Sequence, residues 1–152
     1  MAAVTAAALV VAVLGATFAV PALRRAIWDR DTLFTKTLGG TGDDRFDAVA
    51  VTPDGGLAAA GTTSSGDGDF GPAKGEEDAV VARFRPDGKL HCTKTLGGTG
   101  YEWFGAVAAA PDGGLAAAGR TESVYGDFGS AKGGSDAVLA RFGPDGDLQW
   151  SK

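Results

Sequence analysis

The chain has 152 residues, with 14 Lys and Arg against 19 Asp and Glu, a formal net charge of −5, one cysteine and one histidine. A mild, dispersed negative charge with no Lys/Arg cluster excludes the basic stripe that a nucleic-acid partner requires. Single Cys92 and single His91 exclude an internal disulfide framework and any two-histidine metal or catalytic pair.

The chain opens on an apolar run. Met1 to Val20 carry no charged side chain, and the run extends to Leu23. About twenty residues of helix span about 30 Å, the thickness of a bilayer's hydrocarbon core. Residues 1–23 are therefore predicted as a hydrophobic helix, an export signal or membrane anchor through which the chain meets a membrane. A buried core helix is disfavoured because the following repeats offer it no helical face. Small residues permit cleavage near Ala19 or Ala22 without forming a strong cleavage site. Pro21, Arg24, Arg25, Asp29, Arg30 and Asp31 mark the end of the run and a charged linker over 24–33. Arginines after the run argue for a cytoplasmic C-terminal side, by an excess of only one net charge. Orientation is left to the nature of the repeats.

Residues 34–152 are internally repetitive, and that reading precedes any local one. Residues 35–92 align with 93–150 without a gap and share 40 of 58 positions. Thr35–Gly42 recurs as Thr93–Gly100, Pro53–Gly61 as Pro111–Gly119, and Asp78-Ala79-Val80 with Ala82-Arg83-Phe84 as Asp136-Ala137-Val138 with Ala140-Arg141-Phe142.

Turn signals cut each unit into four short apolar stretches. The first, Phe46–Thr52, stops at Pro53-Asp54-Gly55-Gly56, and the second runs Leu57–Thr63. Asp-Gly tolerates the positive φ of a tight turn. The Ala-rich stretch Leu57–Ala60 favours helix by propensity, but four residues between glycines are too few for one. A Gly-rich loop over 64–77 leads to Asp78–Phe84, which Pro86-Asp87-Gly88 turns into Leu90–Leu96. Each unit is thus predicted as a four-stranded antiparallel sheet. The third stretch is apolar on both faces, as in a sheet sandwiched between others. The fold class is all-β: two tandem blades of a partial β-propeller after an N-terminal hydrophobic helix. A β-solenoid, the competing architecture, usually has shorter repeats.

The combined string of Lys-Thr-Leu-Gly-Gly-Thr-Gly, Pro-Asp-Gly-Gly, Gly-Asp-Phe, Asp-Ala-Val and Pro-Asp-Gly resembles the bacterial β-propeller repeats of SBBP type, over residues 34–152. The resemblance implies an exported, surface or wall-associated protein without enzymatic activity. That favours an extracytoplasmic location, anchored or secreted. It also implies an aromatic opening the fourth strand; Phe34 and Trp150 fit, and Cys92 departs.

Two blades do not close a ring, since propellers have about four to eight. Phe34–Leu38 reads as the fourth strand of a blade whose other strands are missing, left unpaired and available to another chain. Two stacked blades also leave an apolar face at each end, exposing members of the Val80/Val81 and Val138/Leu139 sets. The expected state is a homo-oligomer or part of a longer array, including a truncated one.

Loops on a rigid scaffold carry binding. The tight turns share one end of the blades; the long loop and the inter-blade link share the other. There the units differ: Asp43, Asp44, Arg45 and Asp67 against Tyr101, Glu102, Trp103 and Tyr125. Tyr101, Trp103 and Tyr125 form a candidate aromatic platform for a glycan or protein partner, against the alternative that Trp103 merely packs on Phe104. Asp67, Asp69, Glu76, Glu77 and Asp78 lack EF-hand spacing, and no metal site is assigned. Arg83 and Arg141 read as structural. His91 and Cys92 point to opposite faces of a strand and form no pair. The glycine clusters lack a P-loop pattern, so no cofactor is expected. No unit gathers a nucleophile, base and orienter. The functional expectation is a non-enzymatic scaffold or interaction module, with a lectin-like two-blade protomer as the alternative.

Overall fold

The computed structural model describes residues 34–152. The expected hydrophobic helix over 1–23 and the linker over 24–33 lie outside the described residues. No helix among the described residues is long and apolar enough to cross a membrane.

Two four-stranded antiparallel sheets follow one another. Blade 1 is β1 (Asp44–Val51), β2 (Leu57–Thr63), β3 (Asp78–Phe84) and β4 (Leu90–Leu96), hydrogen-bonded in that order. Blade 2 repeats it with β5 (Glu102–Ala109), β6 (Leu115–Thr121), β7 (Asp136–Phe142) and β8 (Leu148–Ser151). All four hairpins use one turn. In the first, Gly55 N–H donates to Thr52 O at 2.9 Å with Gly55 at φ 86°. The Asp54 carboxylate accepts from Gly56 N–H at 3.2 Å. Gly88, Gly113 and Gly146 occupy the same left-handed position. Pro-Asp-Gly suits it: proline presets the first φ, the aspartate braces the turn, and glycine alone takes the positive φ without strain.

Neither bulge in the first hairpins of the two blades is written in the apolar pattern. The register of β1 on β2 slips between Phe46 and Ala48, and that of β5 on β6 between Phe104 and Ala106. Gly61 and Gly119 stand opposite. A Cβ there would collide with the backbone carbonyl of Arg45 or Trp103, so only glycine admits the bulged strand this closely.

Alternation gives each blade two faces. Blade 1 turns Ala58, Ala60, Ala79 and Val81 toward blade 2, which returns Phe104, Leu115, Ala117, Val138, Ala140 and Phe142; together with Leu96 they form the main core. Small residues on one sheet let β5 settle deep onto its neighbour, and the aromatic rings come from the other. The core thus lies between the sheets. Buried apolar contact of this kind supplies the stabilisation, at roughly 25 cal/mol per Å² removed from water.

The outer face of blade 1 departs from expectation. Phe34–Leu38, expected as an unpaired strand, forms no strand. Instead the Phe34 ring lies 6.4 Å from that of Phe84, and Leu38 packs on a second cluster of Ala59, Ala82 and Phe84. Phe70, from a short 3-10 turn at Gly68–Phe70, is buried nearby, with its carbonyl accepting from the Thr95 hydroxyl. Of the Val80/Val81 set neither member reaches water: Val80 is fully buried and Val81 is buried, as is Val138, which faces the other blade. Apolar side chains of the lead had a hydrophobic sheet to cover, and covering it outweighs pairing an isolated strand. At the far end the expectation holds: Leu139 is 43% exposed.

Candidate functional site

The loop end of the seam between the blades is built by short polar contacts. Glu77 and Tyr101 form a parallel bridge, in which Glu102 N–H donates to Glu77 O at 2.8 Å. The Thr62 hydroxyl donates to Glu102 O at 3.0 Å. Lys74 pairs with Asp127 across the same seam. At the opposite, tight-turn end, Arg83 donates to Gly113 O at 2.7 Å and to Pro144 O at 2.6 Å, both in blade 2, and to Asp54 at 3.1 Å in its own blade. Arg83 was read as structural from its mid-strand position; it clamps one blade to two turns of the next.

A shallow cleft of about 240 Å³ opens beside the seam, lined by Arg45, Glu77, Tyr101, Glu102, Trp103 and Arg120. Of the candidate platform, Tyr101 and Trp103 share one recess, whereas Tyr125 is 73% exposed and does not line it. The Tyr101 hydroxyl donates to Glu76 at 3.2 Å, and that carboxylate pushes the phenol's pKa up. The Trp103 ring carries the Arg120 guanidinium 4.8 Å from its centre, a cation–π contact that covers one face of the indole. Arg120 was missed in the sequence; its position is threonine in the first unit, and the substitution beside a Trp103 that replaces Arg45 was the available signal. Arg45 itself pairs with Asp47 at 2.8 Å. The recess is therefore amphipathic, with its cations already engaged.

Of the acidic residues weighed as calcium ligands, Glu76 and Glu77 accept from the Tyr101 and Thr62 hydroxyls, and the three aspartates tie down backbone. Asp67 accepts from Thr41 N–H at 2.8 Å and Asp69 from Gly39 N–H at 3.0 Å. Asp78 accepts from Lys74 and Gly75 N–H. Among the described residues no three His, Cys, Asp or Glu side chains gather around a common point. His91 is exposed and faces Arg85, while Cys92 is half-buried against the Gly146 turn, where burial pushes its thiol pKa up. A raised thiol is a poor nucleophile.

A feature that sequence reasoning passed over lies one layer deeper. Glu102, at the start of β5, is 1% exposed. One of its oxygens accepts from the Thr121 hydroxyl at 2.8 Å and Ser123 N–H at 3.1 Å, and the other from Gly98 N–H at 2.8 Å. Asp44 holds the equivalent place in blade 1, bonded to Thr63, Ser65 and Gly40. Burial acts to raise the Asp44 carboxyl, but the two hydroxyls and the N–H outweigh it and hold its pKa below the ordinary value.

With this geometry in view, the family described as "Domain of unknown function (DUF5122) beta-propeller" matches residues 110–148, from the first turn of blade 2 into β8. A search of curated proteins finds no match to the chain. The family match supports the β-propeller reading of the repeat without singling out the SBBP type.

Proposed function

We propose that the chain is a non-enzymatic, extracytoplasmic repeat module that assembles head to tail through its two end faces. One observation carries this reading. The exposed side chains at the two ends are the counterparts of the two sides of the seam inside the chain. At one end Phe46, Val49 and Val51 are 38%, 67% and 40% exposed. Their counterparts Phe104, Val107 and Ala109 pack in the main core. At the other end Ala106, Ala108 and Leu139 are exposed, whereas Ala48 and Ala50 are half-buried and Val81 is buried beneath blade 2. The β1 row that the lead leaves uncovered at one end and the Ala106, Ala108 and Leu139 face at the other are complementary between two copies. Such a heterologous contact closes a ring or extends a column. The apolar run over 1–23 supports placement beyond the cytoplasmic membrane, and a reporter fused after Lys152 that works only in the cytoplasm would overturn that part.

The assembly is tested with Val49→Lys and Leu139→Lys in the full chain, in mild detergent, by light scattering after size exclusion. The unaltered chain is expected to exceed one copy per particle and each variant to run as a monomer. An equimolar mixture should form a one-to-one pair, because each variant keeps the face its partner lacks. A monomeric unaltered chain, or variants that stay apart when mixed, overturns the reading.

A further inference from the structure

Asp78 opens β3 and is fully buried. One of its oxygens, Oδ2, accepts from Lys74 and Gly75 N–H. The other, Oδ1, has no hydrogen-bond partner although it is shut off from solvent. A buried carboxylate oxygen left bare loses its hydration with nothing in exchange, so the atom requires an explanation.

Gly97, in the link between blades, supplies it. A Cβ on Gly97 would overlap Asp78 Oδ1 and stand 2.6 Å from Glu102 Oε2. The two oxygens, one from each blade, therefore converge on the same small space. They lie within the roughly 4–6 Å over which one carboxylate disfavours ionisation of another. The absence of a side chain at Gly97 is what lets them meet.

The geometry points to a shared proton: we propose that Asp78 takes a proton from water on Oδ1 and donates it to Glu102 Oε2. The blade seam is thereby closed by a carboxyl–carboxylate bond and strained when that proton leaves. The other charges near the pair do not replace the proton. The Lys74 ammonium is drawn to Asp127 and the Thr95 carbonyl. Glu77 is a further acid, within 3.5 Å of the Thr62 hydroxyl, and Asp44 is occupied by Thr63 and Ser65. Burial raises the Asp78 carboxyl above its ordinary value of 3.8 and the Glu102 charge adds to it, with the Lys74 and Gly75 N–H groups and the Lys74 charge opposing. A group whose pKa rises on folding contributes stability that is complete below its unfolded pKa and lost as pH climbs through the folded value. Asp44, with a lowered pKa, has the opposite slope.

The test is the melting temperature of the full chain against pH, compared with Asp78→Asn. Asparagine keeps an oxygen for Lys74 and Gly75 and offers Glu102 a permanent N–H. The variant's advantage over the unaltered chain should widen from about pH 4 to about pH 8 as the shared proton is lost. A carboxyl-carbon NMR titration should show Asp78 protonated above its ordinary range. Glu102→Gln removes the same repulsion from the other side and should flatten the same part of the profile, which guards against one variant failing to fold. A gap that stays constant or shrinks with pH overturns the proposal. So does added calcium that raises the melting temperature of the unaltered chain and erases the gap, since a cation would then fill the space assigned to the proton.

Discussion

The two blades share most of their sequence and nearly all of their internal geometry, yet they bury different residues. Phe46 and Phe70 meet edge to face at 5.8 Å, and their counterparts Phe104 and Phe128 do so at 5.9 Å. Phe46 is 38% exposed and Phe104 is fully buried. Leu139 is open while Val81, at the matching position, is covered. The blade's own sequence sets how its strands and rings fit together. What decides whether a face is core or surface is the neighbour stacked upon it. A repeat of this kind carries half of each interface on each side and completes neither alone.

The largest expected effect separates the paired phenylalanines. Phe104→Ala should cost about 3–5 kcal/mol, the range for emptying a buried aromatic site, while Phe46→Ala should cost clearly less. Urea denaturation of the full chain measures both. Equal losses would mean that the outer row of blade 1 is as covered as the seam, and the contrast between the ends would fail. The next effect compares the two strand arginines. Arg83→Ala strips bonds from Gly113 O and Pro144 O across the seam and should cost about 1–3 kcal/mol. Among the described residues Arg141 reaches Leu115 O, Phe142 O and Asp112, all within its own blade, so Arg141→Ala should destabilise less. If the same denaturation curves place Arg141→Ala at or beyond Arg83→Ala, the seam is not where the clamp acts.

Much of the architecture was legible because its signals are local. Pro-Asp-Gly fixes the four tight hairpins, and the stretches Leu57–Thr63, Asp78–Phe84 and Leu90–Leu96 coincide with β2, β3 and β4. The first strand was placed at Phe46–Thr52 and observed at Asp44–Val51, because charged Asp44 and Arg45 hide a strand start whose side chains are spoken for by Thr63 and Asp47. The lead at Phe34–Leu38 was misread as a strand: its sequence matches a fourth strand, but the strand it would pair with is not among those described, and its apolar side chains went to a face instead. Of the site, Tyr101 and Trp103 were visible as aromatics in a variable loop. Arg120 over the indole was not, since only the register of β5 on β6 brings the two together. The Asp78–Glu102 meeting was equally hidden. It joins residues of different sheets over a glycine whose role is empty space, and no spacing within one unit encodes it.

The shared proton has a consequence for any column built from such units. Asp136 repeats the anchoring of Asp78, accepting from Lys132 N–H at 2.6 Å, and stands at the open end of blade 2; Asp44 stands at the open end of blade 1. Head-to-tail contact brings these two carboxylates to the places that Asp78 and Glu102 hold inside the chain. On the proposed assembly and the proposed shared proton, every new junction would take up one proton as it forms. The slope of assembly free energy with pH is set by protons bound, so it multiplies with the number of junctions. A long column responds to acid more sharply than a short one, although no single carboxyl in it titrates more steeply than any other.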